Sequence, residues 1–160
     1  MTREEGANTH RYATTVDWGG STAVGYDDYE RGHRASVAPI ATTLDLSGDP
    51  AFRGDATRLN PEQLFVLAAS SCQLLSFLAV SSRARVDVVA YHDDAVGEMP
   101  EHDTPMRITR ITLRPRITVR GDTSDDRVLH LVEVAHRECF IANSLTTEIV
   151  IKAEVLRETS

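Results

Sequence analysis

The two side chains best suited to covalent chemistry in this 160-residue chain are its only cysteines, Cys72 and Cys139. The thiolate is the reactive form of cysteine, both as a nucleophile and as a metal ligand. Residue types alone leave three readings open. Free cysteine is among the most buried residue types, so both could be inert core residues. They could be a redox pair. His136 stands three residues before Cys139 and could share a metal with it, yet neither a CxxC nor a second HxxC supplies a set of four ligands.

Both cysteines fall on expected helices. Asn60 suits an N-cap, Pro61 the first helical position and Gln63 the third residue of a capping box. From there to about Ser82 the residues are mostly apolar or small, with neither Gly nor Pro. The pattern predicts a helix of about 20 residues, about 30 Å long, bearing Cys72 near its middle. A second helix begins after Thr123 or Ser124, with Asp125 and Asp126 in its first turn, where acids suit the dipole. Val128, Leu131, Val132, Ala135 and Cys139 follow helical spacing, which puts Cys139 on the buried face near the helix end.

The rest reads as strands. Arg11–Trp18, Ala35–Ala38 and Ile40–Leu46 precede the first helix. Val86–Tyr91 follows it, extended toward Met99 across a twist or bulge. Arg107–Arg120 reads as one strand, in which Pro115 suggests an edge or a bulge. Thr147–Leu156 closes the chain. Strands in groups with mostly antiparallel neighbours predict an α+β domain over 10–160, after a disordered tail at 1–9. The first helix is apolar around most of its circumference, so packing against a second subunit is expected.

Composition narrows the function. Apolar content of 41% and charged content of 26% suit a globular domain, and a net charge of −7 without a basic run argues against a nucleic-acid surface. No unbroken run of 18 apolar residues predicts a membrane span. The N-terminal residues lack the apolar core of a signal peptide, so a cytoplasmic location is expected. Thiols there are kept reduced, which disfavours a structural disulfide.

Asn60-Pro61-Glu62-Gln63-Leu64-Phe65, continuing to Ala68-Ala69-Ser70-Ser71-Cys72, resembles the helix motif of the OsmC/Ohr family, the osmotically inducible and organic hydroperoxide resistance proteins. Ala135-His136-Arg137-Glu138-Cys139, followed by Asn143-Ser144, is similar to that family's second-cysteine segment. The resemblance covers about residues 10 to 157. It implies an α+β fold with an antiparallel sheet and a long central cysteine-bearing helix, in an intertwined homodimer with sites at the interface. It implies a thiol-dependent peroxidase acting on organic hydroperoxides or hydrogen peroxide, without a cofactor. Cys72 matches the reactive cysteine, Cys139 the resolving one and Glu62 the helix glutamate. The family's arginine aligns best with Arg31, and next best with Arg34. An external dithiol, which in the family can be a lipoylated protein, would return the disulfide to thiols. The alternative is a non-catalytic member that binds a small ligand or senses oxidants.

Physical chemistry rationalises these types. A free thiol is only a few per cent ionised at neutral pH. A nearby arginine favours the thiolate and stabilises charge on the departing oxygen. A carboxylate beside the thiolate alone would oppose ionisation, so Glu62 makes sense as the group that holds Arg31. Glu62 and Cys72 are ten residues apart, about 15 Å on a straight helix. Either the helix is broken between them, or Glu62 and Arg31 reach the Cys72 of a partner chain. Phe65, Leu75, Phe140 and Ile141 are candidates to line a pocket for an alkyl peroxide. Phe140 replaces the proline that often follows the family's second cysteine, and the loop from Tyr26 to Arg31 is long; both suggest a divergent branch.

Overall fold

A computed structural model describes residues 9–159, as two compact units that meet in sequence at Pro61 and Glu62. The expected tail at 1–9 lies outside the described residues except for Thr9.

The first unit is a small antiparallel sheet, β1 (Thr15–Asp17), β2 (His33–Ser36) and β3 (Leu44–Leu46), in that order. β1 and β3 are expected strands trimmed to three residues, and β2 starts two residues before the expected Ala35–Ala38 and ends two residues earlier. The connection from β1 to β2 is held by the Trp18 indole, which donates to the Glu30 carbonyl at 2.7 Å. After β3, buried Ser47 accepts from the Asp55 amide at 3.0 Å, and Gly54 lies so close to Gly48 that a Cβ would fall 1.6 Å from the Gly48 carbonyl oxygen. Only glycine fits there.

The second unit contains α1 (Pro61–Arg83), β4 (Asp87–Asp93), β5 (Val96–Glu98), β6 (Arg110–Leu113), β7 (Pro115–Arg120), α2 (Asp125–Glu138), α3 (Phe140–Asn143), β8 (Glu148–Ile151) and β9 (Glu154–Arg157). The architecture is α+β, as expected. The strands form two sheets, β4-β7-β9 and β5-β6-β8. In each, the first pair is antiparallel and the second, β7 with β9 or β6 with β8, is parallel.

Three expected strands are each two strands. The one from Val86 toward Met99 ends at Asp93 as β4 and resumes at Val96 as β5 in the other sheet. Arg107–Arg120 breaks at Arg114, and Thr147–Leu156 breaks after Ile151, each time passing from one sheet to the other. Pro115 is accordingly neither at an edge nor in a bulge. It is the buried first residue of β7, the central strand of its sheet, a place where a missing N–H is tolerated.

α1 and α2 pack together on the sheets. Phe77 and Val80 of α1 meet Val128, Leu131, Val132 and Ala135 of α2 over Val86, Ile117 and Val119. A second cluster places Ala69 against Ile111 and Leu113. Ser124 caps α2 by accepting from the Arg127 amide at 3.3 Å, as the sequence suggests. α1 ends in a Schellman turn: the Val86 amide bonds the Ser81 carbonyl at 2.9 Å and the Arg85 amide the Ser82 carbonyl at 3.1 Å, with Arg85 left-handed at φ 58°.

The other side of α1 is open. Leu67, Leu75 and Leu78 are exposed. Although α1 has no unbroken apolar run, an 18-residue window of it reaches a mean hydropathy of 1.9, apolar enough to cross a membrane, with 28% of that window buried. Its inner face belongs to the core just described.

Candidate functional site

Cys72 and Cys139 come together in the second unit. Cys72 sits at mid-length on α1, half-buried. Cys139 is 1% exposed and stands between α2 and α3 rather than within a helix, at φ −68° and ψ 116°. It closes α2 and caps α3, its Sγ accepting the Ala142 amide at 3.4 Å. The neighbouring amide, that of Ile141, donates to Cys72 Sγ at 3.5 Å. Two successive N–H groups thus point at two sulfurs. The thiols are free and within hydrogen-bonding reach of each other.

The environments of the two sulfurs differ. Burial pushes the Cys139 thiol up to about 11, reinforced by its hydrogen bond to Cys72 and by the charge that Cys72 can carry; the Ala142 and Ile141 amides act in the opposite direction. At neutral pH Cys139 therefore keeps its proton. It can donate that proton toward Cys72, the more accessible sulfur.

Two residues before Cys72, Ser70 Oγ donates to Asp93 Oδ2 at 2.5 Å, and Asp93 Oδ1 accepts the Arg114 amide at 2.6 Å. This ties the helix near Cys72 to Arg114, the residue at which the chain changes sheets. Sequence reading did not single out Ser70 or Asp93, because a serine on an apolar helix and an aspartate at a strand end carry no distinctive signal.

Glu62 is half-buried in the first turn of α1, and α1 is continuous through Cys72, which removes the broken-helix alternative. About 15 Å of helix separates the two. Arg31 belongs to the first unit. Its guanidinium donates to the Tyr26 and Tyr29 carbonyls at 2.5 and 2.8 Å, and lies 4.8 and 3.9 Å from the centres of their rings. The tyrosines of that long loop thus hold the arginine. Arg34 is exposed and pairs with Asp45 at 3.5 Å.

Of the residues considered for an alkyl pocket, Phe65 and Ile141 pack in the second core cluster, whereas Leu75 and Phe140 are 63% and 80% exposed. His136 lies half-buried with an unpartnered Nδ1. No group of three or more His, Cys, Asp or Glu side chains is gathered as metal ligands would be among the described residues.

Comparison with known proteins fits this architecture. An OsmC-like protein of unknown function from Vibrio cholerae O1 biovar eltor superposes with a TM-score of 0.82 at 26% identity, over 91% of this chain and 100% of that one. An OsmC-like protein from Mycoplasma pneumoniae gives 0.72 at 13% identity, over 92% and 98% of the two chains. An organic hydroperoxide resistance protein from Elizabethkingia anophelis gives 0.69 at 16%, over 95% and 99%. No curated protein sequence matches. Residues 54–154 match the family described as OsmC-like protein, a span that holds both cysteines and Glu62. The chain belongs to the OsmC-like family.

Proposed function

We propose that this protein is a thiol-dependent peroxidase that reduces organic hydroperoxides, with Cys72 as nucleophile and Cys139 as resolving thiol. The observation that carries the reading is the thiol pair itself. The accessible sulfur receives a backbone N–H from Ile141, and the buried one keeps its proton beside it. Kinship with organic hydroperoxide resistance proteins supports the substrate class.

The Cys72 thiolate attacks one peroxide oxygen. The O–O bond breaks, the other oxygen leaves as alkoxide and takes a proton from water, and Cys72 becomes a sulfenic acid. The Ile141 amide donates to the sulfur that attacks. The Cys139 sulfur then displaces hydroxide from the sulfenic acid, its own proton completes a water molecule, and a disulfide results. An external dithiol, a lipoylated protein being one candidate, supplies two electrons by exchange and restores both thiols.

In this reading the protein works as a homodimer. The exposed leucines of α1 are covered by a second copy, and Glu62 with Arg31 serves the partner's Cys72, Glu62 orienting the guanidinium and the guanidinium favouring the thiolate and the leaving oxygen.

Reduced protein mixed with an alkyl hydroperoxide and a dithiol is expected to consume peroxide catalytically. Cys72→Ser should abolish this, while Cys139→Ser should lose the intramolecular disulfide seen as a loss of two hydrogens in the intact mass. Equal, slow consumption by wild type and Cys72→Ser would end the enzyme reading. A disulfide that forms once without turnover would favour an oxidant sensor.

A further inference from the structure

Gln73 follows Cys72 directly and is 1% exposed, within the packed surface between α1 and α2. Its Nε2 donates to the Val132 carbonyl of α2 at 3.1 Å, while its Oε1 is buried without a partner. Around it the helices meet through Phe77, Val80, Val128, Leu131 and Ala135, all apolar. The other polar links from α1 and its C-terminal turn to α2, Arg83 with Glu138 and Arg127 with the Ala84 carbonyl, are exposed.

A glutamine that leaves one oxygen unsatisfied in an apolar interface is a poor choice for stability alone, since an isosteric apolar side chain would remove the unmet acceptor. What the glutamine provides is register. Apolar helix faces can slide by fractions of a turn at little cost, whereas a directed hydrogen bond selects one alignment. Its acceptor is also well placed: Val132 lies one helical turn before His136, whose carbonyl receives the Cys139 amide at 3.3 Å. The bond therefore clasps the turn that delivers Cys139, from the residue beside Cys72.

We propose that Gln73 is a positioning residue for the thiol pair, setting the alignment of α1 and α2 that lets Cys72 and Cys139 close a disulfide. Its importance for turnover rests on the peroxidase reading, but the alignment itself does not.

The test equilibrates wild type, Gln73→Met and Gln73→Leu with mixtures of oxidised and reduced glutathione. Two protein thiols and one glutathione disulfide give the Cys72–Cys139 disulfide and two glutathione thiols, so no peroxide is needed. The expected result is an equilibrium constant for closure about fivefold lower in both variants, the scale of one net buried hydrogen bond, with melting temperature unchanged or raised. In the peroxide reaction the variants should form sulfenic acid at Cys72 at the wild-type rate, trapped by a dione reagent, and close the disulfide more slowly. Closure constants equal to wild type, or reduced only in step with a lowered melting temperature, would overturn the proposal. Wild type that closes with glutathione but ignores peroxide would end the peroxidase reading and leave this comparison intact.

Discussion

The backbone N–H of Ile141 donates to Cys72 Sγ at 3.5 Å across 69 residues of chain. A short helix that begins after Cys139 thus serves the other cysteine as well, because the cap at Cys139 fixes where the next amides point. Removing that donor should slow the first chemical step specifically. Ile141→Pro deletes the N–H, whereas Ile141→Val keeps it with nearly the same packing. A hydrogen bond to a charged group contributes about 1.5–3 kcal/mol, so peroxide attack should slow by roughly 10- to 100-fold in the proline variant and little in the valine variant. Stopped-flow measurement of single-turnover oxidation checks this, and equal rates in the two variants would remove the amide from the mechanism.

The raised Cys139 thiol makes a pH prediction. Its folded-state value, about 11, lies above its ordinary value of 9.0. The folded protein thus holds this proton more tightly than the unfolded chain. The stabilisation is fully present below about pH 9 and is lost as pH rises toward 11. Urea midpoints should fall across that window, and fall less in Cys139→Val. In alkylation followed by mass spectrometry, Cys72 should react first at pH 8, with Cys139 labelled only as pH approaches 11. In Cys72→Ala the Cys139 midpoint should drop without reaching 9, because burial, the larger cause, remains. A midpoint at 9 in both proteins would show that burial does not hold the proton.

Arg85 allows a stability prediction independent of the chemistry. It is exposed and occupies the left-handed turn that ends α1, at φ 58°. Helix ends of this kind favour glycine, since a Cβ there costs about 1 kcal/mol. Arg85→Gly should therefore raise the melting temperature by about 2–4 °C. A lowered melting temperature would mean that the arginine side chain contributes more than its strain costs.

What the sequence made legible follows from how local each signal is. Pro61 at a helix start and the spacing of Val128, Leu131, Val132 and Ala135 are satisfied within a few turns, so α1 and α2 appeared close to their true bounds. The step at Arg114 was hidden because Ile111, Leu113, Pro115, Ile117 and Val119 keep one alternation across it. Inward residues remain inward on both sides while the hydrogen-bonding partners change, and partners leave no mark on one strand's pattern. Cys139 was expected on a helix face, yet it breaks the helix, since cysteine is outside the usual capping residues. Arg31 read as part of a charged loop because carbonyl acceptors such as those of Tyr26 and Tyr29 are invisible in a sequence.

The separation of Glu62 from Cys72 supports the most discriminating experiment. α1 runs unbroken between them, about 15 Å, so one chain's Glu62 is too distant to act at its own thiol. If Glu62 acts at the thiol of a second copy, two inactive variants should repair each other. Cys72→Ser retains a good glutamate, and Glu62→Gln retains a good thiol. In a two-fold dimer, random mixing makes half the dimers mixed, each with one intact site of two, so activity should recover to about a quarter of wild type. Co-expression with different tags and isolation of the doubly tagged species sharpens the measurement. Leu75→Arg, which places a charge on the open face of α1, should convert a species of twice the 17.6 kDa chain mass into monomer and abolish the recovery. Activity no greater than the sum of the separate variants would show that Glu62 does not serve a partner's thiol, and its place in the first turn of α1 would then reflect only the helix dipole.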